Sequence, residues 1–469
     1  MIKFGTDGWR AVISDEFTFA NVRLVAAAVA AYLINHKLDK KPLIVGYDPR
    51  FLADRFAEEV VKVMEAAGID CFLTIRDTPT PVLAWEVKDR GASGAIMLTA
   101  SHNPPQYCGI KFIPDYAGPA NEEITKEIEE NIRISKVENR KSKIGKAERF
   151  EPRERYLAYI KTFIDPAVIK QAKLKIVVDP MYGSGRGYLD KLLQELGCKV
   201  EEIHNYRDVL FGGHNPEPDE TNLKELGAKV KENQADLGLA LDGDADRFGV
   251  VDEVGDCYSP NQVIAMLFDY LVEDKQMRGS VVRSLGTTHM LDAIAKLHNI
   301  KVHETPVGFK HIAQIMLKEP VIIGGEESGG LTIAGHIPEK DGILADLLVA
   351  EMTAHRKKPL SKIWEDLTKK IGKFEGRRGK VEIPEAKKQS LMEGLKKNPP
   401  TEIGGMKVAE VKTFDGVKLI LKDGSWLLIR PSGTEPLVRI YSESRDPKVL
   451  DKIELYLETL LAPSTAEGL

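Results

Sequence analysis

The sequence Asp242-Gly-Asp-Ala-Asp-Arg247 places three carboxylates at alternate positions between two apolar, strand-like segments, Leu237–Leu241 and Phe248–Val251. Carboxylates packed this closely at a strand end repel one another, so they need either raised pKa values or a positive partner. An all-oxygen ligand set suits Mg²⁺, which keeps coordination positions open for water or a substrate phosphate. The stretch therefore indicates an acidic loop at a strand end, with a divalent cation as its candidate ligand.

Two other interpretations of this loop compete with a magnesium site. Asp and Gly dominate turns, so a solvated acidic turn also explains the composition. A calcium loop of the Asp-x-Asp-x-Asp type would find a glutamate at its twelfth position, Glu253. Its sixth position, however, is Arg247 where such a loop needs Gly, and its flanks are β-prone instead of helical. The spacing alone therefore favours Mg²⁺ over Ca²⁺ and leaves the solvated turn open.

The bulk composition is that of a globular protein with several domains. The chain has 469 residues, 43% hydrophobic and 29% charged, and its length alone suggests three or four domains. A net charge of -5 spread over the chain argues against nucleic acid as a main partner. The four widely separated cysteines contain no C-x-x-C pair, so neither a disulfide framework nor a zinc site is expected.

No segment of the sequence has the character of a membrane anchor. The N-terminus lacks the apolar core of a signal peptide, and the longest apolar run, Leu24–Ile34, is too short to cross a bilayer. We therefore expect no membrane partner and a reducing, cytoplasmic location.

Short apolar segments alternate with helical segments through the first three quarters of the chain. Strands are predicted at Leu43–Tyr47, Gly94–Leu98, Lys175–Val178, Asp236–Leu241, Gly279–Leu285 and Val321–Gly324, and helices at Leu24–Leu33, Arg55–Ala67, Gly187–Leu196 and His289–His298. This alternation predicts α/β domains with parallel or mixed sheets and helices on both faces.

The pattern changes after residues 369–374. Strands are predicted at Met406–Thr413, Val417–Leu421, Ser425–Ile429 and Val438–Ser442, with helices at Glu385–Lys397 and Pro447–Leu461, which indicates an antiparallel α+β domain. A charged stretch at Asn139–Arg155 and the dipeptide Ser259-Pro260 mark two earlier boundaries. We therefore place the domains at 1–153, 154–258, 259–370 and 371–469.

A second candidate loop follows the predicted strand Gly94–Leu98. Ser101 and His102 lie where open α/β sheets bind ligands, and Lys111 follows nearby. Ser101 is a candidate nucleophile or phosphate carrier, with Lys111 to compensate negative charge. A capped turn before Pro104 is the structural alternative.

Two further loops carry groups suited to binding an anion or a sugar. Arg430–Pro436 offers a guanidinium, two hydroxyls and a flexible glycine, the parts of a phosphate-binding loop, although an ordinary hairpin turn would also fit. Gly324–Gly330 places Glu326 and Ser328 on a glycine-rich loop, which suits vicinal sugar hydroxyls but is also compatible with a solvated loop. No Walker motif is present, so ATP hydrolysis is not implied.

Taken together, the four loops and the opening Thr6-Asp7-Gly8-Trp9-Arg10 resemble the motif set of the α-D-phosphohexomutases, the phosphoglucomutase and phosphomannomutase family, in the same order and spacing. The resemblance extends along essentially the whole chain. It implies three similar α/β domains and a smaller C-terminal α+β domain around a central active-site cleft, with one loop from each domain.

The resemblance also implies a role for each loop. Ser101 is expected to carry the transferred phosphate and to hold one Mg²⁺ together with Asp242, Asp244 and Asp246. His102 and Lys111 are candidates for proton transfer and charge compensation, and Arg247 offsets charge on the phosphoryl group. The residues implied in substrate binding are Arg10, Gly308, Lys310, Glu326, Ser328, Arg430, Ser432, Gly433 and Thr434.

The implied reaction interconverts hexose 1-phosphate and hexose 6-phosphate through a phosphoserine and a hexose 1,6-bisphosphate, with glucose 1,6-bisphosphate as activator. Phe309-Lys310 after Thr305–Gly308, and Gly330 where other branches carry His, favour glucose over mannose. A phosphomannomutase, a dual-specificity enzyme and a non-catalytic sugar-phosphate-binding protein are the alternatives. The expected partner is the sugar phosphate alone, and the expected assembly is a monomer or homodimer.

Overall fold

Four β-sheets follow one another along the chain in the computed structural model, each with its own helices. The structure describes residues 2–5, 7–134, 144–432 and 436–461. Thr6 of the opening motif, positions 139–143 of the charged boundary stretch and the last eight residues of the predicted C-terminal domain lie outside the described residues.

The first two sheets are mixed, with a parallel core and antiparallel strands on one side. The first has the order β1-β5-β4-β2-β3-β6 and the second β11-β10-β9-β7-β8. The strands are β1 (Trp9–Val12), β2 (Leu43–Tyr47), β3 (Cys71–Thr74), β4 (Gly94–Leu98), β5 (Tyr107–Pro114), β6 (Ala147–Phe150), β7 (Lys175–Asp179), β8 (Lys199–Glu202), β9 (Leu237–Leu241), β10 (Phe248–Val251) and β11 (Cys257–Tyr258). The helices are α1 (Phe19–Asn35), α2 (Ala53–Ala66), α3 (Thr80–Arg90), α4 (Glu122–Ile134), α5 (Arg153–Ile160), α6 (Pro166–Ala172), α7 (Leu189–Glu195) and α8 (Lys224–Asn233).

The third sheet is again mixed and the fourth is antiparallel throughout. Their orders are β13-β12-β14-β15 and β16-β21-β20-β19-β18-β17. The strands are β12 (Ser280–Ser284), β13 (Val302–Thr305), β14 (Val321–Gly325), β15 (Leu331–Ile333), β16 (Glu375–Glu382), β17 (Glu402–Ile403), β18 (Met406–Lys412), β19 (Val417–Leu421), β20 (Trp426–Pro431) and β21 (Leu437–Ser444). The helices are α9 (Pro260–Glu273), α10 (Met290–Leu297), α11 (Phe309–Met316), α12 (Gly342–Arg356), α13 (Leu360–Ile371), α14 (Glu385–Lys397) and α15 (Pro447–Leu461).

Each candidate loop connects two neighbouring antiparallel strands. Residues 99–106 join β4 to β5, 242–247 join β9 to β10, 326–330 join β14 to β15, and 432–436 join β20 to β21. In the three α/β domains the first strand of the hairpin is also paired with a parallel neighbour. The same hairpin therefore places each of those loops at the carboxyl end of a parallel strand, the edge at which such sheets bind ligands.

The apolar core is continuous across the first three domains and separate in the fourth. Helix α12 is buried from Gly342 to Ala354 and packs against α6, α7, α9 and β10. The core around it extends from Ile44 in the first sheet to Leu367 in α13, whereas the fourth sheet packs on α14 and α15. The three α/β loops are thus carried by one packed body.

The predicted fold class, three α/β domains followed by an α+β domain, is confirmed. Several predicted elements differ in length: α1 begins at Phe19 because the Thr18 hydroxyl accepts a hydrogen bond from Asn21 N, and α7 is shorter than the predicted helix at both ends. Within the described residues, no helix combines the length and apolar character needed to cross a membrane.

Candidate active site

Ser101 lies at the centre of the first loop with its hydroxyl directed at the second. It is 1% exposed, and its Oγ donates a hydrogen bond to Asp242 Oδ2 at 2.8 Å. The Nδ1 atom of His102 lies 3.3 Å from the same oxygen. The Ser101 backbone is left-handed, with φ 50°, which is uncommon for a residue other than glycine. The loop thus holds a candidate nucleophile in a strained position against a carboxylate.

A fully buried arginine holds this conformation. Arg50 follows β2, and its guanidinium donates to the carbonyl oxygens of Ser101 (2.6 Å), Asn103 (2.7 Å), Pro104 (2.8 Å) and Tyr107 (3.0 Å). Asp48 accepts from Arg50 Nε at 3.0 Å and from the Thr99 hydroxyl at 2.6 Å. Burial raises the pKa of Asp48 to about 6 despite Arg50 and Thr99, which lower it.

The three aspartates of the second loop converge on one point. One carboxylate oxygen from each of Asp242, Asp244 and Asp246 lies within 4.8 Å of the others, and all three side chains are fully buried. Ala245 adopts a left-handed φ of 56°, which curls the loop between the last two acids. Asp244 Oδ1 and Asp246 Oδ1 are buried and have no hydrogen-bond partner among the described residues.

The second oxygen of each of these two acids is held by donors from neighbouring segments. Thr80 Oγ1 donates to Asp244 Oδ2 at 2.6 Å, and Lys111 Nζ lies 2.9 Å from Asp244 Oδ2 and 2.8 Å from Asp246 Oδ2. Buried polar atoms normally have partners, so the two orphaned Oδ1 atoms indicate room for a ligand that the protein does not itself supply. The donor set, three carboxylates and a serine oxygen, fits a hard divalent cation such as Mg²⁺.

Two side chains outside the predicted set complete this cluster. Lys340 Nζ lies 3.0 Å from both Asp7 Oδ2 and Asp246 Oδ2, and Lys111 Nζ lies 2.9 Å from Asp7 Oδ2. Burial would raise the pKa of Asp7, but Lys111 and Lys340 outweigh it and hold that pKa well below its usual range. Residues from three domains therefore share one network of charges.

The protonation states follow from this network. Burial, and then Asp244 and Asp246, raise the pKa of Asp242 well above its usual value. Burial would also raise the pKa of Asp244, but Lys111 and Thr80 outweigh it and lower that pKa. Burial and the surrounding cations, led by Arg247, lower the pKa of His102 well below its usual value, which leaves a neutral imidazole beside Ser101.

Two predicted arginines border the first two loops. Arg10 Nη1 donates to Asn103 Oδ1 at 2.7 Å. Arg247 N donates to Asp242 Oδ1 at 3.0 Å, and Arg247 Nη1 lies 3.3 Å from Glu217 Oε1. The Arg10 guanidinium therefore lies at the serine loop, and the Arg247 guanidinium lies at the acidic cluster, with Nε 4.0 Å from Asp246 Oδ1.

The third loop is tied to the backbone of a neighbouring segment. Gly308 N donates to Glu326 Oε1 at 2.7 Å. Burial, and then Glu327, raise the pKa of Glu326 to about 7. Ser328 is half-buried in the same loop. Lys310, at the start of α11, forms an ion pair of 3.2 Å with Glu122 of the first domain, and no ion pair joins it to Glu326, which also lies among the described residues.

The fourth loop is described in part. Arg430 Nε lies 3.0 Å from both oxygens of Asp415. Ser432 N donates to Leu437 O at 2.9 Å, and Ser432 O accepts from Lys388 Nζ at the same distance. Gly433 and Thr434, which the sequence predicts to bind phosphate, lie outside the described residues.

Five residues of the site do not appear among the sequence predictions: Asp7, Arg50, Thr80, Lys340 and Asp415. The signal for Asp7 lies in the opening motif itself, between Thr6 and Arg10. The others are single polar residues in ordinary turns or helix starts. Arg50 and Asp415 reach the loops of their own domains through the fold of those domains. Thr80 and Lys340 reach the acidic loop because separate domains pack together.

Models of known families match all four parts of the chain. They describe phosphoglucomutase/phosphomannomutase α/β/α domain I at residues 1–138, domain II at 154–255, domain III at 259–371 and the C-terminal domain at 379–458. The fold and the four loops thus define an enzyme of the phosphohexomutase class. The chain belongs to the phosphoglucomutase/phosphomannomutase family of the α-D-phosphohexomutase superfamily, which confirms the predicted resemblance.

Individual relatives extend over nearly the whole chain. A phosphoglucomutase/phosphomannomutase of Thermococcus kodakarensis is 31% identical over 459 residues, covering 97% of this chain and 98% of the relative. A phosphoglucosamine mutase of Caldicellulosiruptor bescii is 30% identical over 463 residues, 98% of each chain. A crystal structure from Thermus thermophilus, assigned as a phosphomannomutase, has a TM-score of 0.86 and 34% identity, covering 98% of this chain and 99% of that one. Hexose-phosphate mutase activity is common to these names, but the sugar differs.

Proposed function

We propose that the protein interconverts α-D-glucose 1-phosphate and glucose 6-phosphate, with Ser101 as the phosphate carrier. The observation that carries this proposal is the hydrogen bond of 2.8 Å from Ser101 Oγ to Asp242, within a buried acidic cluster that leaves two carboxylate oxygens without hydrogen-bond partners among the described residues. A protein that only binds sugar phosphates, without catalysis, would not require a serine with a strained backbone beside such a cluster.

In the proposed cycle the phosphoryl group passes between Ser101 Oγ and a sugar hydroxyl. The bond from phosphorus to Oγ breaks and the bond to the hydroxyl oxygen forms. The sugar hydroxyl gives its proton to a base in the site, and Ser101 Oγ takes up a proton as the leaving oxygen. The resulting hexose 1,6-bisphosphate reorients in the site, and its other phosphate is transferred to Ser101. Phosphoryl transfer is catalysed mainly by positioning and by charge. The neutral imidazole of His102 lies beside the reacting oxygen, and Lys111 and Arg247 contact the aspartates of the adjoining acidic loop.

Asp242, Asp244, Asp246 and the Ser101 oxygen are the proposed ligands of one Mg²⁺. When bound, the ion supplies positive charge that offsets the charge on the transferring phosphoryl group. Lys111 and Thr80 hold the Oδ2 atoms and so direct the Oδ1 atoms of Asp244 and Asp246 to the ligand position.

The other two loops are proposed to hold the part of the substrate that does not react. Arg430, Ser432, Gly433 and Thr434 would bind the second phosphate, since a guanidinium and successive amides suit phosphate oxygens. Glu326 and Ser328 would bind sugar hydroxyls, with Arg10, Gly308 and Lys310 at the border of the site.

Glucose is the proposed sugar, with a dual glucose and mannose specificity as the alternative. A Cβ atom at Gly330 would lie 2.4 Å from Lys340 Cδ, so the lysine stem occupies the space that a side chain at position 330 would need. The site therefore differs at this point from the branches of the family that carry histidine there. Glucosamine, named in several relatives, is the third sugar to be compared.

A coupled assay with Mg²⁺ and glucose 1,6-bisphosphate tests the proposal. We expect kcat/KM for glucose 1-phosphate to exceed that for the mannose and glucosamine analogues. A higher value for mannose or glucosamine would contradict the sugar assignment. No conversion of any of the three would contradict the mutase itself.

Replacing the carrier tests the mechanism. We expect Ser101→Ala to lower turnover by at least about a thousandfold, because covalent catalysis is lost, while hexose phosphate still binds. Ser93→Ala is the matched control, since Ser93 is buried in the same domain and donates only to Pro42 O at 3.1 Å. Intact-mass analysis should find a phosphate adduct on Ser101 and none in the alanine variant, and activity near wild type in Ser101→Ala would contradict the carrier role.

A further inference from the structure

A single carboxylate links the fourth domain to the third beside the substrate loops. Asp415, in the turn between β18 and β19, places both oxygens 3.0 Å from Arg430 Nε. Its Oδ2 also accepts a hydrogen bond from Val307 N at 2.7 Å. The Asp415 and Arg430 side chains are 19% and 17% exposed, so the ion pair is largely shielded from water. Asp415 therefore contacts the proposed phosphate anchor and the backbone of the neighbouring domain at once.

The next amide along the chain reaches the sugar loop. Gly308 N donates to Glu326 Oε1 at 2.7 Å. Gly308 has φ 127°, a conformation that side-chain-bearing residues rarely adopt. Two consecutive amides, at 307 and 308, are thus bound by carboxylates from two different loops, and adjacent peptide units make the contacts to Asp415 and to Glu326.

The surroundings fix the position of this turn. The Asp415-Gly416 turn lies directly on Arg430, because a Cβ at Gly416 would be 3.1 Å from Arg430 Cα and 2.5 Å from Ile429 O. Nearby, Leu285 and Val307 of the third domain pack with Trp426, Leu428 and Tyr441 of the fourth. A small apolar core therefore supports the polar contacts, and Gly416 packs closely on the strand that carries Arg430.

We propose that Asp415 is a positioning residue that couples Arg430 to Glu326, an inference that rests on the proposed function of these two loops. An ionised carboxylate accepts from the guanidinium and from the Val307 amide together. The coupling sets the spacing between the bound phosphate and the sugar hydroxyls. The same spacing applies to both orientations of the bisphosphate, so one rigid pair of loops serves both half-reactions.

Binding to a chain that cannot turn over separates this inference from the reaction. In a Ser101→Ala background, calorimetry with glucose 1-phosphate and glucose 6-phosphate should show Kd raised about tenfold or more by Asp415→Asn, because a charge-assisted contact is lost. Asp423→Asn is the matched control, since Asp423 lies in the next turn of the same sheet and bonds to Ser425. Equal affinity in the Asp415 and Asp423 variants would overturn the inference.

A double-mutant cycle tests whether the effect passes to Glu326. If Asp415 acts through residues 307 and 308, the double variant should raise Kd by a smaller factor than the product of the factors for Asp415→Asn and Glu326→Gln alone. Effects that multiply would show that Asp415 serves Arg430 alone and would contradict the coupling. In the active chain, Asp415→Asn should raise KM more than it lowers kcat.

A conservative variant distinguishes charge from turn structure. Asn is a better turn residue than Glu, so a purely structural Asp415 would tolerate Asn and not Glu. The coupling predicts the opposite order, with Asp415→Glu keeping more affinity than Asp415→Asn. If the Ser101→Ala chain bound neither hexose phosphate, the proposed function would fail instead. The role of Asp415 would then be tested by the binding of inorganic phosphate. Its affinity should fall in Asp415→Asn and stay unchanged in Asp423→Asn.

Discussion

Ser101 shows how much of the site depends on single side chains. Its left-handed backbone is unfavourable for a residue with a Cβ, and the carbonyl groups of its loop point inward to one guanidinium. Arg50 is planar and offers donors in a fixed fork, so it can bind several carbonyl oxygens at once. A lysine has the charge but not the geometry.

We therefore predict that Arg50→Lys leaves loop carbonyls without donors. Each buried, unsatisfied group costs about 1–3 kcal/mol, so the free energy of unfolding should fall by about 3 kcal/mol. Phosphorylation of Ser101 by glucose 1,6-bisphosphate, followed by intact mass, should slow by more than about tenfold. Arg55→Lys, an exposed change on α2, is the control. Wild-type stability and phosphorylation in Arg50→Lys would show that the arginine does not shape the loop.

Helix α12 shows what one element contributes. Asp341 caps it by accepting from Leu344 N at 2.9 Å, and the same carboxylate accepts from Tyr156 and contacts His336. In its second turn, Asp346 is fully buried, and neither of its oxygens has a hydrogen-bond partner among the described residues. Burial raises the pKa of Asp346 well above its usual value. The helix thus carries a carboxyl group that costs stability whenever it must ionise.

The pH dependence of stability tests this cost. An unfolded aspartate titrates near 3.9, so at higher pH the folded state binds more protons at Asp346 than the unfolded state does, and stability falls as pH rises. Asp346→Asn removes the titration. Urea unfolding should give similar stability for both proteins at pH 4 and an advantage for the variant at pH 8 of at least about 1.4 kcal/mol, the equivalent of one pKa unit. A difference that does not change with pH would contradict the assignment.

At the scale of the whole molecule, hydrogen bonds and ion pairs join the domains at the substrate loops. Ser101 and Lys111 connect the first domain to the second, and Lys340 connects the third domain to both. Asp415 connects the fourth domain to the third. A further contact lies away from these loops. Lys418 of the fourth domain is fully buried, and its Nζ donates to Leu285 O at 2.8 Å and lies 3.1 Å from Glu304.

Because Lys418 is buried at this contact between domains, we expect the free energy of unfolding to depend on pH. Burial, and then Arg283, lower the pKa of Lys418 to about 8, although Glu304 opposes them. Between pH 8 and the unfolded value near 10.4, the unfolded chain binds more protons, so this residue makes stability rise with pH. Relative to Lys418→Met, the wild type should gain about 2 kcal/mol between pH 8 and pH 10 in urea unfolding. Lys412→Met removes a more exposed ammonium from the same Glu304 and controls for that ion pair. No relative gain would contradict the lowered pKa.

The sequence predicts helices and strands correctly where one face of the element, or a whole short strand, is apolar. Leu43–Tyr47, Gly94–Leu98, Val417–Leu421, Glu385–Lys397 and Pro447–Leu461 have the predicted bounds. Helix α12 is not predicted, because a helix buried on all sides lacks the polar face that marks a period of 3.6 residues. Strand β5 is not predicted either, because its assignment depends on pairing with β4 and β1.

The sequence by itself determined the family, the four-domain class and the four loops, because each loop is a contiguous run of residues whose chemistry is local. The resemblance also implied that Ser101 meets the three aspartates. Only the tertiary structure showed the hydrogen bond from Ser101 to Asp242, the two aspartate oxygens without hydrogen-bond partners among the described residues, and the contribution of Asp7, Arg50, Lys340 and Asp415 to the site. Those contacts link residues that are up to 333 positions apart. Their formation depends on how strands, turns and whole domains pack against one another, which no local pattern of residues specifies.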